Sequence, residues 1–138
     1  MAHIPEDRHK DGLVLDYTLQ ENLVLQSYYT RRFQNHGFLK FDAIRQYAKM
    51  LIEKFDIRSS QGEKSIARGM SGGNQQKIVL AKWLAAKSKI IIFDEPTRGI
   101  DVGAKVAVYE LMNKLVEEGV GVIITSSEVE EVWNMSDK

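Results

Sequence analysis

The chain has 138 residues, 43% of them hydrophobic, a size and composition that suit one globular domain with material for a core. Lysine plus arginine and aspartate plus glutamate both number 19, so the formal net charge is zero and no basic excess speaks for a nucleic-acid partner. The lack of cysteine excludes disulfides, thiolate metal sites and cysteine nucleophiles, and the longest apolar runs, residues 90–93 and 120–124, are far too short for a membrane span.

The start, "MAHIPEDRHK", is polar and carries no secretory signal, so the cytoplasm is the expected compartment. Residues 3–12, bounded by proline and glycine, read as a loop, and a short apolar run at 13–15 follows. Thr18 and Glu21 have the spacing of a capping box, which predicts a helix over about 19–28 with "RRFQNHG" as its exit. From Asp42 on, Ile44, Tyr47, Ala48, Leu51, Ile52 and Phe55 recur at three- and four-residue steps, the period of an amphipathic helix. A polar connection over 58–65 leads to a further helix over about 74–87. "IIIFD" then has the pattern of a buried parallel strand ending in a carboxylate. Asp101 is placed to cap a helix with Val102, Val106, Tyr109, Met112 and Val116 on its apolar face, and Gly119 is placed to end it. Residues 120–125 read as a second buried strand, and Ser127 with Glu130 as a capping box opening a short helix toward Trp133. Strand, helix, strand, helix in the second half predicts an α/β fold with a parallel sheet, preceded by a mostly helical lobe. The chain is expected to begin without an earlier strand and to stop where a third would follow.

Chemistry concentrates in two stretches. "RGMSGGNQQK" places a serine and two glycines at a helix start, where unpaired amides and the positive end of the helix dipole suit an anion, phosphate above all. The loop that normally holds phosphate, G-x-x-x-x-G-K-[ST], does not occur in these 138 residues. "IIIFDEPT" delivers Asp94 and Glu95 to the carboxyl end of a strand, where ligands of open α/β sheets gather. Adjacent side chains diverge, so one acid can hold magnesium while the other orients or deprotonates a water. Taken alone, an ordinary strand end with two solvated acids fits as well. His3, His9 and His36 show no ligand spacing and are assigned to the surface. Tyr28, Tyr29, Phe33, Phe38 and Phe41 are expected to pack within the helical lobe, and Lys77 and Lys82 to be solvated.

The order "SGGNQQK", helix, "IIIFDEPT" and "GID" resembles the ATP-binding-cassette (ABC) ATPases. Closer still, "PEDR", "GLVLD", "ENL" and "EPTRGIDVGAK" are similar to the second cassette of bacterial importers for simple sugars and their nucleoside-importing relatives. The resemblance implies part of a P-loop NTPase-type parallel sheet, the Walker B half, with a helical signature subdomain. Residues 13–88 would form that subdomain, and 89–138 the Walker B strand, D-loop and switch strand of a fragment lacking the P-loop. It further implies ATP and Mg2+ as cofactors. Ser71, Gly72, Gly73, Gln75, Glu6 and Asp101 would contact nucleotide, Asp94 the metal, and Glu95 and Ser127 would be catalytic. The signature of one cassette caps the ATP of another, so the phosphate at Ser71 would belong to a partner cassette.

Two departures stand out. Glu6 takes a place where the family usually has glutamine, and Ser127 one where it has histidine; both weaken the case for efficient hydrolysis at this cassette's own site, and a purely structural role for Ser127, as the first residue of a capping box, is the alternative. The implied function is to power uptake of a monosaccharide at the cytoplasmic face of the membrane, with permease subunits and, indirectly, a substrate-binding protein as partners. A nucleoside importer, a non-transport ABC ATPase and an inert docking module are the alternatives.

Overall fold

The computed structural model describes residues 1–136. Strand β1 (Ala2–Ile4) leads through a π-helical turn, Arg8–Gly12, to α1 (Leu19–Val24). A small hairpin, β2 (Gln34–Asn35) and β3 (Phe38–Leu39), precedes α2 (Phe41–Lys54). Then come α3 (Gly72–Leu84), β4 (Ile90–Asp94), α4 (Val102–Glu117), β5 (Gly121–Thr125) and α5 (Val129–Met135). Strands β1, β4 and β5 form one parallel sheet in the order β1-β4-β5, with Ile4 beside Phe93 and Asp94 beside Thr125.

The predicted opening loop is thus corrected. Ala2 and Ile4 point inward on either side of exposed His3, and this two-residue period was hidden in a polar stretch. Strand β4 consequently has a neighbour on each side, and Ile91 and Phe93 are buried beneath the helices. Strand β5 is not the buried strand expected: its residues alternate between exposed and half-buried.

The capping box at α1 forms, with Thr18 N donating to Glu21 Oε2 at 2.8 Å. The helix stops at Val24 instead of Tyr28 because Tyr28 and Tyr29 have no inward face to occupy. Of the five aromatics assigned to lobe packing, only Phe33 is buried, its ring centroid 4.9 Å from that of Tyr47 of α2 in a tilted arrangement; Tyr28, Tyr29, Phe38 and Phe41 are exposed. Helix α2 buries Ile44, Tyr47, Ala48 and Leu51, as its period predicts. Buried Asn22 accepts from Val14 N at 2.9 Å and donates to Val14 O at 3.0 Å, fixing the segment before α1 without leaving an amide unpaired.

Helix α4 is rotated from the expected face. Val108 and Met112 are buried, whereas Val102, Val106 and Val116 face solvent. This helix is apolar on more than one side, so its period did not single out the inward row. The Ser127–Glu130 capping box does not form; α5 begins after Glu128 without a side-chain cap. Lys82 is likewise not solvated: it is buried, and its Nζ donates to Gly12 O. No helix among the described residues is long and apolar enough to cross a membrane.

Candidate functional site

The carboxyl ends of the three parallel strands bring His3, Asp94 and Thr125 side by side. Asp94 Oδ1 accepts from Thr125 Oγ1 at 2.6 Å, and Asp94 Oδ2 lies 3.7 Å from His3 Nε2. The chain then turns sharply, because Glu95 has φ of 46°, in the left-handed region that few non-glycine residues adopt. That conformation sends the two acids apart. Glu95 Oε1 accepts the backbone N–H of Ser127 at 2.5 Å, while Glu95 N donates to Thr125 O at 2.9 Å. Ser127 is therefore brought to Glu95 through its amide.

Glu6 is exposed and pairs with Arg98. It lines a cleft of about 560 Å³ shared with His3, Arg8, Asp94 and Gly99, so the turn after β1 and the end of β4 border one space. Beside it, the amides of Lys10 and then His9 hold the Asp7 carboxyl below the usual carboxylate range.

A second cluster is built from two helix starts. Ser71 caps α3, its Oγ accepting from Asn74 N at 3.4 Å and Asn74 Nδ2 at 3.0 Å. Asp101 caps α4, accepting from Ala104 N at 3.0 Å. Both cap residues are exposed. The two helix starts pack against each other at Gly73, where a β-carbon would lie 2.9 Å from Ala104 Cβ. Gln75 points inward: its Nε2 donates to Ala67 O at 3.0 Å, and its Oε1 lies 2.7 Å from His9 Nε2. Gln75 is thus buried beneath the turn and held by Ala67 and His9.

Asp94 and Glu95 thus stand at the end of β4, with Ser127 brought to Glu95 alone; Glu6 borders the cleft of Asp94, and Ser71, Gly72, Gly73 and Asp101 gather at the helix starts. Arg8, Thr125 and the buried Thr97–Glu131 pair went unnoticed in the sequence. Arg8 and Thr97 lie inside the quoted "PEDR" and "IIIFDEPT", but neither stretch shows the distant partners that these side chains reach.

Residues 2–98 match the ABC transporter family. The whole chain aligns at 44% identity with the ribose import ATP-binding protein RbsA of Bacillus cereus, covering 27% of that protein. It aligns at 41% with the nucleoside import ATP-binding protein NupA of Lactococcus lactis subsp. cremoris, again covering 27%. The chain accordingly spans about a quarter of the length of these curated relatives. A dimeric ATP-binding cassette solved in a post-hydrolysis state with ADP and Pi superposes with a TM-score of 0.70 at 22% identity, over 94% of this chain and 53% of that one. This likeness supports the fold, an α/β cassette of the P-loop NTPase type. Since the match over residues 2–98 takes in both the Ser71 turn and the β4 carboxylates, the chain belongs to the ABC transporter family.

Proposed function

We propose that this chain is part of the ATP-hydrolysing subunit of an importer that takes up a monosaccharide. The observation that carries the reading is the divergence of Asp94 and Glu95 at the end of β4, with Glu95 held by the Ser127 amide and Asp94 held by Thr125. Glu95 is then the residue that aligns the attacking water. Ser127 acts through its backbone, fixing the carboxylate that does so. Asp94 suits magnesium: one of its oxygens is engaged by Thr125, and a single carboxylate oxygen is what an ion that keeps waters and phosphate oxygens asks of a protein. Bound magnesium would neutralise phosphate charge.

Exposed Ser71 at the start of α3 is, in this reading, the surface that meets the γ-phosphate of ATP on a second cassette. Asp101 organises the adjoining helix start, Gln75 supports the turn from beneath, and Glu6 borders the cleft of Asp94. Permease subunits at the cytoplasmic face, and a substrate-binding protein acting through them, complete the proposed assembly. The domain reading follows: residues 13–88 as the helical subdomain and 89–138 as the Walker B half.

A sugar is the favoured cargo because ribose import proteins recur among the relatives; the nucleoside import relative supports the second reading. Purification of the full polypeptide containing this chain tests both. The expected result is co-purification with an integral membrane protein, and ATP hydrolysis in liposomes stimulated by a binding protein loaded with ribose. Stimulation by a nucleoside alone would transfer the assignment, and hydrolysis without any membrane partner would remove the importer reading.

A further inference from the structure

Arg8 is tied to two motif stretches at once. Its Nη1 donates to Arg98 O at 3.0 Å, its Nη2 to Gly99 O at 3.3 Å and its Nε to Gln75 Oε1 at 3.4 Å. The planar guanidinium fork can serve adjacent carbonyls and a side-chain amide together, which a lysine ammonium cannot. Gly99 has φ of 68°, so its carbonyl is presented by a backbone conformation suited to glycine. The guanidinium also fills the space beside Gly72. A β-carbon there would lie 3.0 Å from Arg8 Nη2 and 3.3 Å from Gly99 O.

The base of this clasp is itself held. Asp7 accepts from His9 N at 2.9 Å and Lys10 N at 3.1 Å, capping the π-helical turn that starts at Arg8. Lys82 Nζ, from α3, donates to Gly12 O at the far end of that turn. Glu6 pairs with Arg98, whose carbonyl Arg8 binds, so the two side chains grip one turn from both sides.

We propose that Arg8 is a positioning residue that locks the start of α3 to the turn before α4, keeping the Ser71 surface and the Glu95 turn at one spacing. The proposal rests on the ATPase reading above. Arg8 acts through the Arg98 and Gly99 carbonyls and through Gln75, and reaches no reacting atom itself. Small misplacements at a nucleotide site are costly, up to about a hundredfold in rate for roughly 1 Å.

The test has two arms. In the full polypeptide, Arg8→Gln should lower kcat for ATP hydrolysis about tenfold with KM within about threefold, and Arg8→Lys should restore less than half of the loss. Assays run well below the unfolding midpoint, with the folded fraction measured, separate this from simple destabilisation. A kcat within about twofold of the parent, or a loss matched by lost folded protein, overturns the proposal. In the second arm, urea unfolding of the 138-residue chain compares Arg8→Gln, Gly72→Ala and the double variant. Removing the guanidinium makes room for the alanine methyl, so the double variant should lose less than the sum of the singles; additive shifts overturn the clasp. If the parent polypeptide hydrolyses no ATP, the functional reading fails while this cycle still decides the contact.

Discussion

Thr97 Oγ1 donates to Glu131 Oε1 at 2.8 Å within the protein interior, and Glu131 Oε2 has no partner among the described residues. Thr97 follows Glu95 by two positions, and Glu131 lies in α5 soon after Ser127, so one buried hydrogen bond joins the two segments that meet at Glu95. Tyr109 of α4 is part of the same surroundings: burial first, then the Glu131 carboxylate, pushes its phenol above the ordinary tyrosine range. Thr97→Val should cost about 2–3 kcal/mol, because it leaves a buried carboxyl without its donor. Thr97→Val with Glu131→Leu removes both polar groups and should return to within about 1 kcal/mol of the parent. Urea unfolding of the single and double variants decides it; a double variant as unstable as the single would mean the pair does not act as a unit.

Lys82 gives the chain an alkaline stability signature. Burial pulls its ammonium from an ordinary 10.5 down to about 8. Between these values the unfolded chain holds a proton that the folded chain has released, so stability rises with pH across that window. Below about 8 both states carry the proton and the contribution is flat. Tyr47 and Tyr109, both raised from 10.0, oppose the trend only above about 10. The urea midpoint should therefore climb between pH 8 and 9.5, and Lys82→Met should abolish the climb. An equal slope in the variant would assign the effect to other groups.

Element types in the second half were legible because strand β4 and helix α4 announce themselves by local pattern. Their faces were less so. Val102, Val106 and Val116 share a helical row with Met112, yet only Met112 is buried, since which apolar row turns inward is settled by the sheet. Ala2 and Ile4 form a strand only because β4 offers them a ladder, and no property of "MAHIP" reveals that ladder. At the site, Asp94 and Glu95 were readable from their place at a strand end. Arg8 was not: its partners, Gln75, Arg98 and Gly99, lie far along the chain and depend on the packing of α3 against α4.

That packing yields a direct prediction at Gly73. A methyl there would meet the Ala104 methyl at 2.9 Å, a distance the two helix starts can accommodate only by separating. Gly73→Ala should destabilise the chain by about 1–3 kcal/mol, and Ala104→Gly should recover part of the loss by vacating the same space. Thermal unfolding of the two singles and the double tests this; no recovery would show that the strain lies in the backbone of α3 instead.

For nucleotide, the 138-residue chain by itself should show little specific binding. It contains no G-x-x-x-x-G-K-[ST] segment, whose amides and lysine supply most phosphate contacts in P-loop proteins. The start of α3 alone offers a phosphate chain too few donors, and the Asp94 carboxylate, an acceptor, offers none. Calorimetry with Mg-ATP should give no saturable heat at micromolar concentrations, and a micromolar affinity would mean that a different surface of this chain recognises nucleotide.

In the proposed reading, a full polypeptide that carries a second cassette would use Ser71 and Glu95 unequally. Ser71 is an exposed cap at the start of α3, whereas Glu95 is turned toward Ser127 at the end of β4, so the proposed reading assigns them to two different nucleotide sites. In that reading the site served by Glu95 has Glu6 and Ser127 where the resemblance implies glutamine and histidine, and Glu6 is engaged with Arg98. Ser71→Arg removes the cap, worth about 1 kcal/mol, and fills the space ahead of α3 with a long cation, which would disturb the partner's better-equipped site. Glu95→Gln keeps the acceptor for the Ser127 amide and removes charge only from the weaker site. Ser71→Arg should therefore reduce steady-state ATP hydrolysis more than Glu95→Gln does, with assembly verified for both variants beside the parent. An equal or larger loss from Glu95→Gln would make this cassette's own site a principal engine of turnover, with Glu6 and Ser127 as tolerated replacements.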